Sequence, residues 1–132
     1  YAKRLSAGLA IIDKRRAGPK ETEVMNVIGD IKGKNVVIVD DIISTCTSIS
    51  ESVKVIREQG AKDIYICATH PVLCGPAMQK LDNIKIKEAI FSDTVPIDGK
   101  ERNYIKILSV SKILAEAIKR IHKSESVSSL FV

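Results

Sequence analysis

The chain has 132 residues, 45% hydrophobic and 28% charged, an ordinary balance for a globular protein and enough length to bury a core without disulfides. Its 21 basic and 16 acidic residues leave a formal charge of +5, with Lys14, Arg15, Arg16 and Lys20 clustered. Three Tyr, two Phe and no Trp, none interleaved with basic residues, argue against a nucleic-acid surface, and a phosphate-rich small ligand accounts for the excess charge equally well. No apolar run approaches the roughly 20 residues needed to cross a bilayer, and no signal peptide is visible. Cys46, Cys67 and Cys74 lack zinc spacing, and their odd number argues against an intramolecular disulfide framework. No metal site is read from the residues, and a reducing cytoplasm is the natural setting.

Taken in chain order, Tyr1–Gly8 reads as the last turns of a helix stopped by Gly8, which suggests the C-terminal piece of a longer protein. Leu9–Ile12 is a short apolar strand, Asp13–Lys20 a basic loop, Glu23–Ile28 a further strand, and Ile31–Lys34 a turn. Asn35–Asp40 follows as a strand. Ile49, Val53 and Ile56 fall at i, i+4 and i+7 of a helix that Gly60 terminates. Ile64–Ala68 is a buried strand in which Cys67 serves as a small hydrophobe, and it runs into Thr69-His70-Pro71. Pro76–Leu81 is a short helix, and Glu88–Ser92 and Ile105–Leu108 are strands. Leu114, Ala117, Ile118 and Ile121 form an amphipathic stripe on a closing helix. Strands alternating with helices predict an α/β fold, a mostly parallel sheet flanked by helices, in a single domain spanning 1–132.

The densest information lies in residues 35–48. Val36 to Val39 form an uninterrupted β-branched run, the pattern of a central strand covered on both faces. Asp40 and Asp41 follow at its carboxyl end, where open α/β sheets bind ligands. Carboxylates grip vicinal sugar hydroxyls, and a Ser/Thr turn at a helix N-terminus offers amides and hydroxyls to a phosphate. Taken alone, the same residues also fit a solvated strand end followed by an ordinary helix cap. His70, preceding a proline at a strand end, reads as structural rather than catalytic.

Asn35–Ser48 resembles the phosphoribosyl pyrophosphate-binding signature, a hydrophobic strand and two acids followed by a short Thr- and Gly-containing turn. Three further segments resemble the ribose-phosphate pyrophosphokinase family in the same order. They are Ile11–Arg16, similar to its catalytic flexible loop, Thr69–Pro76, and Leu114–Ile118 with Glu125–Phe131, similar to its C-terminus. The resemblance implies a phosphoribosyltransferase-like fold and the C-terminal half of a phosphoribosyl pyrophosphate synthetase. It implies transfer of pyrophosphate from ATP to ribose 5-phosphate with Mg²⁺, whose ligands would lie mainly in the absent N-terminal half, leaving the fragment alone inactive. It also implies a homo-oligomer, a hexamer by family resemblance, while composition and the lack of a long apolar run point to no nucleic-acid or membrane partner. Lys14 and Arg16 would be catalytic, Arg16 also contacting the sugar phosphate. Asp40 and Asp41 would hold the ribose hydroxyls, and Ser44, Thr45, Cys46, Thr47 and Ser48 would cradle the 5-phosphate.

The turn departs from the family's usual Asp-Thr-(Ala/Gly/Cys)-Gly-Thr. Ser44 loses a carboxylate, Ser48 keeps a hydroxyl, and Thr47 stands where glycine is usual. If position 47 requires a positive φ or close approach to the phosphate, the β-branched residue costs about 1–3 kcal/mol. Such departures leave two alternatives beside the synthetase. One is a non-catalytic regulatory homologue, and the other a phosphoribosyltransferase, against which the Lys-Arg-Arg loop and the C-terminal segment both speak. RNA binding through the basic cluster is a distant fourth.

Overall fold

The computed structural model describes residues 1–15 and 24–131. Strand β1 (Ile11–Arg15) pairs antiparallel with β2 (Val24–Ile28), Ile11 opposite Ile28 and Arg15 opposite Val24. Strand β1 thus extends through Asp13, Lys14 and Arg15, positions where polarity had pointed to a loop. Backbone pairing with β2 accommodates them, because strand hydrogen bonds are made by the main chain whatever the side chain.

Four parallel strands make the main sheet, β3 (Val36–Ile43), β4 (Ile64–Pro71), β5 (Glu88–Ser92) and β6 (Ile105–Leu108), in spatial order β3-β4-β5-β6. Helix α1 (Thr47–Glu58) follows β3, α2 (Ala77–Asn83) follows β4, and α3 (Ser111–His122) follows β6. The α/β class and the parallel sheet are as the alternation of elements predicts. Ile49, Val53 and Ile56, the predicted stripe of α1, are buried, with Ala77 and Leu81 of α2 beside them. They pack with Ile64, Ile66 and Ala68 of β4 and Ala89 and Phe91 of β5, alternate residues that share one face of the sheet.

The other face is open, and here one expectation fails. Strand β3 lies at the edge of the sheet, and Val37 and Val39 are 51% and 44% exposed. A β-branched run selects a strand and its register, but covering its second face requires another element, which the described residues do not supply. Helix α3 shows the same thing. Its stripe is present, yet it has no buried residue, and Ile118 and Ile121 are each 68% exposed. Half-buried Cys67 belongs to this open face, next to Val39 and Ile90 in register.

Side chains fasten the loops. Arg102 grips Asp82 through Nε (3.0 Å to Oδ1) and Nη2 (3.1 Å to Oδ2), and the Tyr104 hydroxyl donates to Oδ1 at 2.6 Å. The Arg102 hydrogen bond first, and Tyr104 second, hold the Asp82 carboxyl below its usual range. Arg57 donates from the end of α1 to the carbonyls of Lys62 and Lys85. No helix among the described residues is long and apolar enough to cross a membrane.

Candidate phosphate-binding turn at the carboxyl end of β3

Strand β3 delivers the chain to the turn Ser44–Cys46, and α1 begins at Thr47. The turn is clamped to the start of the 72–76 segment, where the Leu73 N–H donates to the Ile43 carbonyl and the Cys74 N–H to the Ser44 carbonyl, both at 3.0 Å. The predicted residues Asp40, Ser44, Thr45, Cys46, Thr47 and Ser48 line one small hollow of about 80 Å³ together with Ile42, Ile43 and Ile49. Asp41 is not part of that lining. Successive strand residues point to opposite faces, so the two carboxylates diverge, and Asp40 accepts the Asp41 backbone N–H at 2.9 Å.

Cys46 shapes the turn. Its side chain is inserted in the core, 3% exposed, and burial pushes its thiol up to about 11. To place that side chain inward the backbone adopts φ 60°, a left-handed conformation costing a non-glycine residue about 1–2 kcal/mol. The strain anticipated at Thr47 therefore belongs to Cys46. Thr47 has helical geometry as the first residue of α1, and its φ requires no glycine. With its thiol buried, Cys46 can offer a ligand only backbone.

The N-terminus of α1 carries no side-chain cap and no acidic residue in its first turn. Its first N–H groups, which no helical carbonyl can satisfy, and the positive end of the helix dipole therefore meet no carboxylate from the helix's own first turn. Thr45 and Thr47 hydroxyls lie 3.1 Å apart at this end, and the Ser50 hydroxyl donates to the Thr47 carbonyl at 2.8 Å. Lys80, on α2, donates a hydrogen bond from its Nζ to the Thr47 hydroxyl. Sequence reading missed this lysine, and no spacing signals it, because α2 meets the turn only through the fold.

Lys14 of β1 reaches α1, its Nζ 3.5 Å from Oε2 of Glu51. Arg16 lies outside the described residues. His70 is engaged by the Thr94 hydroxyl at Nδ1 (2.9 Å), and Thr94 and Ser92 in turn donate to the Thr69 carbonyl. A larger hollow, about 500 Å³, runs along α1 beside Asn83–Lys85, away from the carboxylates and the turn.

A family described as phosphoribosyl synthetase-associated domain matches residues 11–132. The chain belongs to that family. It is 48% identical over 131 residues to the ribose-phosphate pyrophosphokinase of Oceanobacillus iheyensis, covering 98% of this chain and 41% of that protein. The Bacillus subtilis ribose-phosphate pyrophosphokinase is 47% identical over 131 residues, 98% of this chain and 41% of that protein. The crystal structure of phosphoribosylpyrophosphate synthetase from Mycobacterium smegmatis superposes with a TM-score of 0.85 at 37% identity, over 93% of this chain and 40% of that one. The chain thus spans about two fifths of the length of these relatives.

Proposed function

We propose that this chain forms the ribose 5-phosphate site and catalytic loop of a ribose-phosphate pyrophosphokinase, a kinase-type transferase active as the full-length protein. The observation carrying this reading is the hollow at the carboxyl end of β3, which Asp40 and Ser44–Ser48 line together at a helix start without a side-chain cap. At about 80 Å³ it is far below the roughly 300–1,000 Å³ of a drug-sized ligand pocket, and suits one small group such as a phosphate. An anion there takes unpaired amides and hydroxyls, while Asp40 accepts from sugar hydroxyls. Asp41, on the opposite side of the strand, serves the sugar only where the ring extends past the strand end.

In this reading Lys14 and Arg16 neutralise charge on the pyrophosphoryl group as it moves from ATP to the sugar C1 hydroxyl. Such transfers depend mainly on positioning and electrostatic stabilisation. Among the described residues no three His, Cys, Asp or Glu side chains gather as a metal site. Mg²⁺ needs only one or two carboxylates beside substrate phosphates; its ligands would lie mainly outside these residues, and no step is assigned to it. We place the segment in the C-terminal part of its protein because Leu114–Ile118 and Glu125–Phe131 resemble that end of the family. A homo-oligomer in the cytoplasm belongs to the same proposal.

Calorimetric titration of the full-length protein with ribose 5-phosphate tests the reading, with saturable binding the expected result. Absence of binding by a folded protein overturns it in favour of the regulatory homologue, which the departures in the turn favour. Sequence upstream of Tyr1 that lacks an ATP-binding half would overturn the placement.

A further inference from the structure

Lys80 stands in an unusual electrostatic position. It is half-buried on α2, and its ammonium group donates to the Thr47 hydroxyl at the first residue of α1. Its charge also reaches the Cys46 thiol, where it opposes the effect of burial. Among the described residues no carboxylate lies within ion-pair distance of its Nζ. A cation at a helix N-terminus meets the positive end of the dipole, so the arrangement is unfavourable while nothing negative lies between them. Removing part of a lysine from water without a counter-charge adds to that cost. An anion against the turn reverses both effects, gaining the helix amides and a charge-assisted hydrogen bond from the ammonium.

We propose that Lys80 is a substrate-binding residue whose ammonium pairs with the 5-phosphate of the sugar held by Ser44–Ser48, with the Thr47 hydroxyl orienting it. The proposal rests on the phosphate-site reading and deepens it. Lys80 comes from the segment after β4, so docking of α2 against α1 becomes a condition for binding the phosphate. The bond from the Cys74 N–H to the Ser44 carbonyl fixes the same juxtaposition through the backbone.

The test is calorimetry of the full-length protein with ribose 5-phosphate at low and high ionic strength, using the parent, Lys80→Met and Lys80→Arg. Lys80→Met should weaken binding about tenfold, as loss of one charge-assisted contact would, and flatten its salt dependence. Lys80→Arg should stay within about threefold of the parent, since it keeps the charge but not the compact ammonium. If the parent binds and Lys80→Met matches it in affinity and salt dependence, the role of Lys80 is overturned while the phosphate site stands. If both variants weaken binding equally and lower the melting temperature together, Lys80 only supports the fold, and the proposal is again overturned. If the folded parent does not bind ribose 5-phosphate, the site reading fails and takes this one with it.

Discussion

The Nζ of Lys14 lies 3.5 Å from Oε2 of Glu51, joining the β1–β2 hairpin to the helix that follows the candidate phosphate turn. The lysine side chain is 33% exposed and the glutamate 45%, so the pair is wet and contributes little stability, at most about 1 kcal/mol. In the proposed function the same position would let Lys14 leave Glu51 for a more highly charged phosphate. In the full-length protein Lys14→Ala should lower kcat by orders of magnitude with little change in KM, the signature of a contact made in the transition state. A tenfold rise in KM at unchanged kcat would show instead that Lys14 only binds substrate.

The faces of the sheet make a separate prediction. Phe91 is 1% exposed in the core between sheet and helices, whereas Val39 is 44% exposed on the open face. Phe91→Ala should cost about 3–5 kcal/mol in urea denaturation of this chain. Val39→Ala should cost under about 1 kcal/mol, since little apolar surface leaves the interior. Equal costs would show that the open face is covered after all.

What sequence pattern conveys well is local. Strands Glu88–Ser92 and Ile105–Leu108 and the buried face of α1 are where apolar runs and helical spacing put them. What it conveys poorly is which neighbour an element meets. Val36–Val39 reads as central, yet β3 is an edge, because the run reports a capacity for burial and not the presence of a cover. Within the turn, Asp40 and Ser44–Ser48 line one hollow, but residue types misplace the strain. Thr47 looked like the misfit because it is β-branched, whereas the strained backbone follows from burying Cys46, which only the packed core dictates. Lys80 was invisible for the same reason, standing 33 residues from the hydroxyl it meets.

Asp82 makes acid stability testable. Its folded carboxyl is held below the ordinary range by Arg102 and then Tyr104. A depressed folded value means the stabilisation is present above the unfolded pKa, about 3.9, and is lost as pH falls through the folded value. Asp82→Asn should therefore lower the urea midpoint at neutral pH and make the further fall below about pH 4 shallower than in the parent. An acid limb as steep as the parent's would remove Asp82 as a source of that dependence.

The turn itself provides the last test. Were position 47 strained, Thr47→Gly would relieve it and tighten ribose 5-phosphate binding. The geometry predicts the opposite, because the positive φ belongs to Cys46 and Thr47 is helical. Glycine at the start of α1 should destabilise the protein by up to about 1 kcal/mol through added backbone freedom. It also removes the hydroxyl that holds Lys80, so ribose 5-phosphate affinity should fall several-fold. Thr47→Ser, which keeps the hydroxyl, should retain most of the affinity and so separate hydroxyl loss from helix loss. Asp40→Asn should weaken the sugar contact by about 1 kcal/mol, since an amide accepts less strongly than a carboxylate. Calorimetry on the full-length protein reads all three. Tighter binding by Thr47→Gly would show that the ligand-bound turn adopts a different backbone, with the strain at residue 47 after all.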